Sequence, residues 1–419
     1  MKTGKDQSAD YDVLIVGGGL AGAALAVALS QLPLKIALIE ARGEPKMGAT
    51  DHSRRSAHGE HWDPRIYAIS PTNVNFLTQI DTWPQLDQAR ISPVRAMHVF
   101  GDAGGRIDFS AYDTGADELA MIVESTLISD ELWTRLQRQP NLQLYLGRRP
   151  TMLRLPDLPD DEADELRPLE PVCLELDEDQ IVSARLLIGA DGRESWIRRQ
   201  ARLSAQVQAY GDHGVVANFA CERTHLNIAR QWFRDDGVLA YLPLPGKRIS
   251  IVWSTPEAHA HALLALPSKA FSEQVAAAGE NCLGALELLG TAQAFPLKLI
   301  RVPHIVAPRL ALVGDAAHGI HPLSGHGINL GFQDAQTMFD VLADAVARGA
   351  DPGEQRLLRR YARVRREETL LIQSGTDLLY RVFHNRLPGL ALLRNQGMRL
   401  ANAVPLLKSA LALYAAGGL

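Results

Sequence analysis

The chain has 419 residues, of which 46% are hydrophobic and 22% charged, and its formal net charge is −5. This composition is typical of a globular protein with one large or two medium domains, and the acidic balance argues against a nucleic-acid partner. The first twelve residues are polar, so no secretory signal is predicted. The apolar run 13–29 is too short, and too interrupted by glycine, for a membrane span. The widely spaced cysteines show no metal or redox motif and indicate a reducing compartment.

The first predicted elements form a dinucleotide-binding unit. A buried strand over 12–16 runs directly into the sequence GGGLAG, which has the spacing G-x-G-x-x-G. A helix over 21–32 and a strand over 35–39 follow, and the strand ends in a carboxylate placed to bind a ribose hydroxyl. This pattern predicts a site for an ADP-bearing cofactor but does not separate NAD from FAD. The predicted contacts are Gly17, Gly19, Leu20, Ala21, Gly22 and Glu40.

The segment 41–64 is rich in His, Arg and Gly and is predicted to be an exposed loop. Its histidines, His52, His58 and His61, follow no spacing of a metal site, so no metal is predicted. The sequence RIYAIS, beginning at Arg65, comes next.

The middle of the chain alternates between short strands and a few helices. A hairpin is predicted over 94–110, a helix over 126–138 and a strand over 142–146. The strongly acidic segment 157–179 is predicted to be a solvated hairpin loop. A strand over 182–188 then leads into the sequence GADGRESWIR.

Short apolar or alternating runs between 215 and 254 predict a mixed sheet that could cover a pocket. Trp232, Phe233 and Trp253 are candidates to line that pocket, and core packing is an equally good interpretation. Two helices over 257–289 and a returning strand over 295–302 are predicted next.

The stretch 310–334, LALVGDAAHGIHPLSGHGINLGFQD, carries the strongest signal. It predicts a buried strand, a carboxylate at the strand end, a glycine-rich turn and a helix from about Leu330. A carboxylate accepts hydrogen bonds from ligand hydroxyls, and glycines let the backbone approach a planar ring. The N–H groups of a helix start favour negative charge, as on a reduced flavin. The layout therefore suits a cofactor with hydroxyls and an electron-accepting ring.

Helices are predicted over 334–348 and 354–383. The tail beyond Asp377 has no acidic residue and carries five basic ones among regularly spaced apolar residues. Such a tail suits an anionic membrane surface, and packing on the body or on a partner copy is the open alternative.

The pattern GDAAH-x-x-HP-x-x-G-x-G-x-N-x-G-x-x-D, together with GGGLAG, RIYAIS, GADG-x-x-S, LPLPG and SIVW, resembles the UbiH/UbiF/VisC/Coq6 family. These proteins are FAD-dependent ubiquinone-biosynthesis hydroxylases within the group A flavoprotein monooxygenases. The resemblance covers nearly the whole chain. It departs from the family at His326, where the family usually has Gln.

The resemblance implies a role for each matching residue. Asp315 would bind the FAD ribityl chain, Arg65 would lie near the pyrophosphate, and Asp191 would contact FAD and, transiently, NAD(P)H. The flavin ring would be bordered by the turn and helix start, at Pro322, Gly325, Gly327, Ile328 and Asn329. No catalytic base is identified, and Pro322 and His326 are the candidates for a catalytic role.

The implied fold is α/β, a Rossmann-like FAD-binding domain of the para-hydroxybenzoate hydroxylase type with an interleaved mixed β-sheet domain and C-terminal helices. The FAD-binding domain is predicted over 10–90, 120–200 and 296–350. The substrate-binding sheet domain is predicted over 91–119 and 201–295, and the C-terminal helices over 351–419.

The implied reaction is hydroxylation of a prenylated phenol or quinone intermediate of ubiquinone biosynthesis by O2. It would proceed through a C4a-hydroperoxide of FAD reduced by NAD(P)H or another donor. The expected location is cytoplasmic. The expectation includes peripheral association with the inner face of the membrane or with a biosynthetic complex. Alternatives are a hydroxylase of a soluble phenol, a flavin reductase of prenyl double bonds and a non-catalytic flavin-binding member of an assembly. A halogenase is disfavoured because the chain lacks G-W-x-W-x-I-P.

Overall fold

A computed structural model describes residues 9–43, 62–156, 169–320, 327–384 and 390–403. The predicted loop histidines 52, 58 and 61, the turn 321–326 and the tail after 403 lie outside these described residues.

The described chain contains nineteen strands and ten α-helices. The strands are β1 (Tyr11–Val16), β2 (Ile36–Glu40), β3 (Ile66–Ile69), β4 (Ser92–Val94), β5 (Ala96–Phe100), β6 (Arg106–Ser110), β7 (Ala120–Glu124), β8 (Leu142–Leu146), β9 (Pro150–Arg154), β10 (Val172–Leu176), β11 (Ile181–Gly189), β12 (Gln206–Cys221), β13 (Ile228–Arg234), β14 (Gly237–Leu244), β15 (Arg248–Pro256), β16 (Leu286–Arg301), β17 (Val306–Ala307), β18 (Leu310–Leu312) and β19 (His318–Gly319). The helices are α1 (Leu20–Leu29), α2 (Pro71–Gln79), α3 (Ala111–Thr114), α4 (Ser125–Leu136), α5 (Trp196–Gln200), α6 (Glu257–Leu264), α7 (Ser268–Ala278), α8 (Gly327–Ala347), α9 (Gln355–His384) and α10 (Leu390–Ala403).

The first sheet is built on five parallel strands in the order β18-β11-β1-β2-β8. Strands β17, β10 and β9 extend it in antiparallel pairings. Its central strands are apolar on both faces, as parallel strands covered on both sides must be. Helix α1 is almost wholly buried, packing against α4 and α8 on one face of this sheet. The predicted Rossmann-like core is confirmed.

A second eight-stranded sheet has the order β19-β16-β12-β15-β14-β13-β5-β6. Its strands are antiparallel except for the parallel pair β13 and β5, so the predicted mixed sheet is confirmed. The predicted hairpin over 94–110 is confirmed as the pair β5 and β6. A small antiparallel sheet, β3-β7-β4, shares an apolar cluster with the second sheet through Ile122, Ala229 and Leu244.

The chain passes repeatedly between the two large sheets, because β1 and β2, β8 to β11, and β17 and β18 lie in the first, whereas β5 and β6, β12 to β16, and β19 lie in the second. Strand β16 passes through the boundary predicted at 295/296, and β19 adds two residues of the 310–334 stretch to the second sheet. The division into domains stays a prediction.

Three elements differ from the sequence-based expectation. Residues 172–176 were expected in a solvated loop but form β10, in which Val172, Leu174 and Leu176 are buried. Strand β16 begins at Leu286, so the end of the predicted helical region 257–289 is a strand. Within the described residues, α8 begins at Gly327 rather than near Leu330. The acidic surroundings of β10 obscured an alternation that only pairing with β9 and β11 makes clear.

Among the described residues, no helix combines the length and the apolarity that crossing a bilayer requires.

Candidate functional site

Three parallel strands of the first sheet end beside one another, and each is followed by one of the sequence motifs. The end of β1 leads to Gly17, the end of β11 to Asp191 and the end of β18 to Gly314. Ligands of open α/β sheets bind in the crevice beyond the carboxyl ends of such strands. The fold thus brings together motifs that lie about 120 to 300 residues apart in the chain.

The turn after β1 is tightly packed at Gly17, Gly18 and Gly22 and open at Gly19. A Cβ on Gly17, whose φ is +108°, would lie 2.3 Å from the Ala190 carbonyl oxygen. A Cβ on Gly22 would lie 2.1 Å from the Gly17 carbonyl oxygen. A Cβ on Gly19 would meet nothing within 4 Å. Gly17 and Gly22 are therefore required by the fold, whereas Gly19 leaves its side of the turn accessible to a phosphate.

Glu40 holds this turn from the end of β2. Its Oε2 accepts a hydrogen bond from the Gly18 backbone N–H at 2.7 Å, and its Oε1 accepts one from the Arg42 N–H at 2.9 Å. The carboxylate thus lies against the glycine turn, at the position where a ribose ligand is expected.

The start of α8 reaches the same place. A Cβ on Gly314 would lie 3.1 Å from the Cβ of Ala21, and one on Gly331 would lie 3.2 Å from it. Helix α1, the turn after β18 and helix α8 therefore pack with almost no space between their backbones. Glycine at both positions makes this approach of the two cofactor motifs sterically possible.

Asn329 fixes the RIYAIS segment to α8. Its side-chain oxygen accepts hydrogen bonds from the Ser70 N–H at 3.0 Å and from Asn73 Nδ2 at 2.8 Å. Its Nδ2 donates to the Ala68 carbonyl oxygen at 2.8 Å. Asn329 is 4% exposed, so its side chain is committed to the protein rather than to a ligand. Arg65, at the start of the segment, is exposed.

Asp191 caps the short helix α5. Its Oδ1 accepts from the Ser195 hydroxyl at 2.5 Å, and its Oδ2 accepts from the Trp196 and Ile197 N–H groups at 2.7 and 3.0 Å. Arg198 then donates to the Ala316 carbonyl oxygen at 2.8 Å and joins this turn to the one after β18. The geometry gives Asp191 an organising role, and its contact with a cofactor stays a prediction.

Asp315 lies beside Arg193 at the surface of the crevice, with 2.9 Å between its Oδ2 and the Arg193 Nε. Both side chains are about two-fifths exposed, at 41% and 44%. An exposed ion pair of this kind contributes little to stability, so a ligand hydroxyl can replace it at low cost.

Tyr67 lies close enough to this group to sense its charges. Burial raises the pKa of the Tyr67 phenol, and Arg65 partly offsets that effect while Asp315 adds to it. The phenol is therefore protonated throughout the physiological range. The RIYAIS motif does not by itself mark Tyr67 as a site residue, because only the packing of β3 brings it near Asp315.

A buried ionic network supports the turn after β18 from behind. Asp334 is fully buried, and its Oδ2 accepts from the Gly314 N–H at 2.7 Å and from His318 Nε2 at 2.6 Å. Its Oδ1 accepts from Arg365 Nε at 2.6 Å. Burial alone would raise the pKa of Asp334, but His318 and Arg365 outweigh it and hold that pKa below its ordinary value. His318 therefore faces the protein interior.

The other predicted residues divide into two groups. Leu20, Gly327 and Ile328 lie at the starts of α1 and α8, around the same crevice. Pro322, Gly325 and His326 lie outside the described residues, so their expected places beside a flavin ring stay predictions.

The three aromatic candidates for a pocket lining are core residues. Trp232, Phe233 and Trp253 are 3%, 6% and 1% exposed. Trp232 stacks on Phe100 with 5.4 Å between ring centroids, and Trp253 contacts the ring of His259 edge-on. Their positions in the second sheet resolve the open alternative in favour of packing.

Comparison with known proteins agrees with this geometry. The family profile described as "FAD binding domain" matches residues 169–370, and "FAD dependent oxidoreductase" matches 12–186. The 3-demethoxyubiquinol 3-hydroxylase of Escherichia coli is 32% identical over 97% of this chain and 98% of its own length. The ubiquinone hydroxylase UbiL of Rhodospirillum rubrum is 33% identical, covering 92% of this chain and 85% of that protein. Human ubiquinone biosynthesis monooxygenase COQ6 is 30% identical over 97% and 92% of the two chains.

Solved structures show the same fold at lower identity. The p-nitrophenol 4-monooxygenase PnpA of Pseudomonas putida superposes with a TM-score of 0.74, at 16% identity, over 97% of this chain and 98% of that one. HpxO of Klebsiella pneumoniae in complex with FAD and uric acid gives a TM-score of 0.71 at 18% identity, over 97% of each chain. The predicted α/β fold of the para-hydroxybenzoate hydroxylase type is confirmed, and so is the FAD cofactor.

Proposed function

Because the chain belongs to the UbiH/UbiF/VisC/Coq6 family of FAD-dependent ubiquinone-biosynthesis hydroxylases, we propose that it hydroxylates the ring of a prenylated phenol or quinol on the way to ubiquinone. It is an FAD-dependent monooxygenase. The observation that carries the proposal is similarity over nearly the full length of both chains to a protein named 3-demethoxyubiquinol 3-hydroxylase.

The cofactor would lie across the ends of β1, β11 and β18. Gly17, Gly19 and the start of α1 would bind its pyrophosphate, with Arg65 as a nearby cation, and Glu40 would bind the adenosine ribose. Asp315 would leave Arg193 to bind the ribityl hydroxyls. The open face of Gly19 supports this placement, because a Cβ at this position would meet no protein atom within 4 Å.

Bound FAD would supply the activation of O2 and the transfer of oxygen to the ring. The chain would contribute position and charge. The N–H groups of Gly327, Ile328 and Asn329 at the start of α8 would favour negative charge on the ring system. The Asp334 network would hold the turn after β18 rigid beneath it. NAD(P)H is the proposed donor, binding transiently, since the described Rossmann-like sheet carries a single G-x-G-x-x-G turn.

We further propose a cytoplasmic protein that docks peripherally on the inner face of the membrane through α9. The leucines Leu370, Leu371, Leu378 and Leu379 are between 48% and 62% exposed. The preceding turns of this helix present exposed arginines, and its opposite face is buried. An apolar stripe beside basic residues suits an anionic bilayer, where a lipid-soluble substrate would be found. Docking within a biosynthetic complex would use the same surface.

The test is the quinone-lipid profile of a source strain that lacks this gene. Mass spectrometry should find a prenylated intermediate short of one ring oxygen, and the position of the missing oxygen identifies the carbon. Wild-type protein should restore ubiquinone, whereas Gly19→Val, which fills the phosphate side of the turn, should not.

A matched control is Gly397→Ala on α10, where a Cβ also meets nothing within 4 Å. It should restore ubiquinone as the wild type does. A normal lipid profile in a deletion strain without a redundant hydroxylase would overturn the assignment and direct attention to soluble phenols.

A further inference from the structure

We propose that His213, Glu257 and His261 form a binding site for zinc or a similar divalent metal ion. The inference is independent of the proposed hydroxylase function. One ligand atom from each of the three side chains lies within 4.8 Å of the other two. Two imidazoles and one carboxylate form a donor set typical of zinc.

The site is assembled by strand pairing. His213 on β12 pairs with Thr255 on β15, and β15 ends at Pro256, immediately before α6. The first turn of α6 therefore emerges next to His213. Glu257 and His261 are four residues apart on this helix, so they share one of its faces. A strand histidine and a helix pair thus converge although they are remote in sequence.

A bulge in β12 directs His213 toward the helix. The pairing of β12 with β16 shifts register between Ala209 and His213, and Gly211 within this interval has a φ of +80°. Bulges of this kind re-aim side chains and commonly occur beside functional sites. Asp212, inside the bulge, accepts a hydrogen bond from Tyr380 at 3.1 Å, which anchors the bulge to α9.

His213 carries a polar atom without a protein partner. Its Nδ1 is buried and makes no hydrogen bond to any described residue. A buried imidazole nitrogen without a partner is costly, and a ligand at the cluster would relieve that cost by engaging the ring or reordering its neighbours. The ring lies 5.7 Å from the ring of His261, at an angle of 49°, so the two histidines are already in contact.

The distances suit a shared ion after a small adjustment. Zinc binds nitrogen and carboxylate oxygen at about 2.0–2.2 Å, which places two ligands of one ion roughly 3.4 Å apart in a tetrahedral site. His261 Nε2 and Glu257 Oε1 are 3.7 Å apart. Their side chains are 66% and 64% exposed, so they can close on an ion without disturbing the core. Water would complete the coordination.

The sequence marks this site only by an E-x-x-x-H pair on a predicted helix. That pair alone is an ordinary exposed ion pair. The third donor comes from a different strand, so only the fold reveals the set.

The first test measures zinc binding to the full-length protein with its FAD, after removal of metals with a chelator. Titration against a chromophoric zinc indicator should find one more tight equivalent in the wild type than in the double variant His213→Gln/His261→Gln. Loss of an outer partner of a metal ligand typically weakens affinity by about 10- to 100-fold, so loss of a ligand should weaken it at least as much. Glu257→Gln should weaken it as well.

The matched control is His304→Gln, which removes an exposed histidine from another part of the surface. It should bind zinc as the wild type does. The comparison also corrects for zinc held by other histidines, including His52, His58 and His61, since those remain in every variant. Equal numbers of tight equivalents in the double variant and in His304→Gln would overturn the proposal.

A second readout does not depend on counting equivalents. An ion that binds the folded chain raises its melting temperature, by about 3 °C for a chain of this size when zinc is at about 100 times its Kd. The rise should be about half as large or less in His261→Gln, whose substitution on the exposed face of α6 leaves the bulge intact. A rise of equal size in His261→Gln and wild type would contradict the site.

Discussion

At the residue scale, Gly17 and Gly19 of the turn after β1 lack a side chain for different reasons. Gly17 has a left-handed φ and contacts the Ala190 backbone, so its lack of a side chain is a condition of folding. Gly19 has an extended conformation and open space on its Cβ side, so its lack of a side chain matters to a ligand. The G-x-G-x-x-G pattern marks both positions without separating these two requirements.

Substitution of each glycine should separate the requirement of folding from the requirement of ligand binding. Gly17→Ala should lower the melting temperature of FAD-free protein by several degrees, because a Cβ clashes with backbone and the left-handed φ is strained. Gly19→Val should leave that temperature nearly unchanged and reduce the FAD retained on purification, read from flavin absorbance. Gly397→Ala is the control for both measurements. Equal destabilisation by the two turn variants would contradict the distinction.

The second residue-scale feature is the buried charge of Asp334. Asp334→Asn should destabilise the protein by up to about 3–5 kcal/mol, because the buried Arg365 loses one of its two carboxylate partners and keeps only Glu368. Denaturant unfolding measures the difference. Asp340→Asn, an exposed position on the same helix, is the control and should change stability little.

The same carboxylate should make stability depend on acid pH. The pKa of Asp334 is depressed in the folded state, so its stabilising contribution is complete above its unfolded pKa of about 3.9. That contribution is lost as the pH falls through the lower folded value. Wild-type unfolding free energy should therefore decline more steeply below about pH 4 than that of Asp334→Asn. Parallel acid profiles of the two proteins would contradict the ionised state of Asp334.

At the element scale, α9 joins the two parts of the molecule and exposes a face of its own. Tyr361 donates to the Leu312 carbonyl oxygen at 2.8 Å, at the end of β18. Gln373 donates to the carbonyl oxygens of Ile300 on β16 and Gly319 on β19 at 2.9 and 3.1 Å. The buried face of the helix is therefore fixed by polar contacts to both sheets, which leaves the leucine stripe outside.

The proposed membrane contact can be tested by substituting two exposed leucines of α9. Leu371→Gln/Leu378→Gln should reduce binding to anionic phospholipid vesicles by about tenfold or more, since each buried leucine contributes about 1.5–3 kcal/mol. The melting temperature should hardly change, because both side chains are exposed. Ile181→Gln, at an apolar side chain that is 60% exposed on β11, is the control. Equal vesicle binding by all three proteins in co-sedimentation would exclude this surface.

At the scale of the whole molecule, the two large sheets are tied together by the repeated crossing of the chain. The apolar cluster of Trp62, Ile122, Ala229 and Leu244 joins the small sheet to the second one. Asn218 on β12 donates to the Asp63 carbonyl oxygen at 2.9 Å, beside the RIYAIS segment. The cofactor motifs and the second sheet therefore share structural supports.

This connection predicts cooperative unfolding. Urea unfolding of FAD-loaded protein should give coincident transitions by far-ultraviolet circular dichroism, tryptophan fluorescence and flavin release. The tryptophans report on both sheets, because Trp133 lies in the first core and Trp253 in the second. Separate transitions would indicate that the second sheet unfolds independently.

The sequence by itself determined the cofactor fold and, through the resemblance of its motifs to a known family, the family and the FAD cofactor. Strand periodicity, the glycine spacing and the carboxylates after β2 and β18 are local signals. They can be recognised without knowing which elements pack against them. The positions of Glu40 after β2, of Asp315 after β18 and of the start of α1 followed from these signals.

Only the tertiary structure decided which side chains meet across long sequence distances. It turned His318 inward to Asp334, paired that residue with Arg365, committed the Asn329 side chain to the RIYAIS segment and buried Trp232 and Trp253 in the core. It also placed His213 against α6. These outcomes depend on strand register and helix packing, which arise from the sum of many weak contacts and leave no periodic trace in the chain.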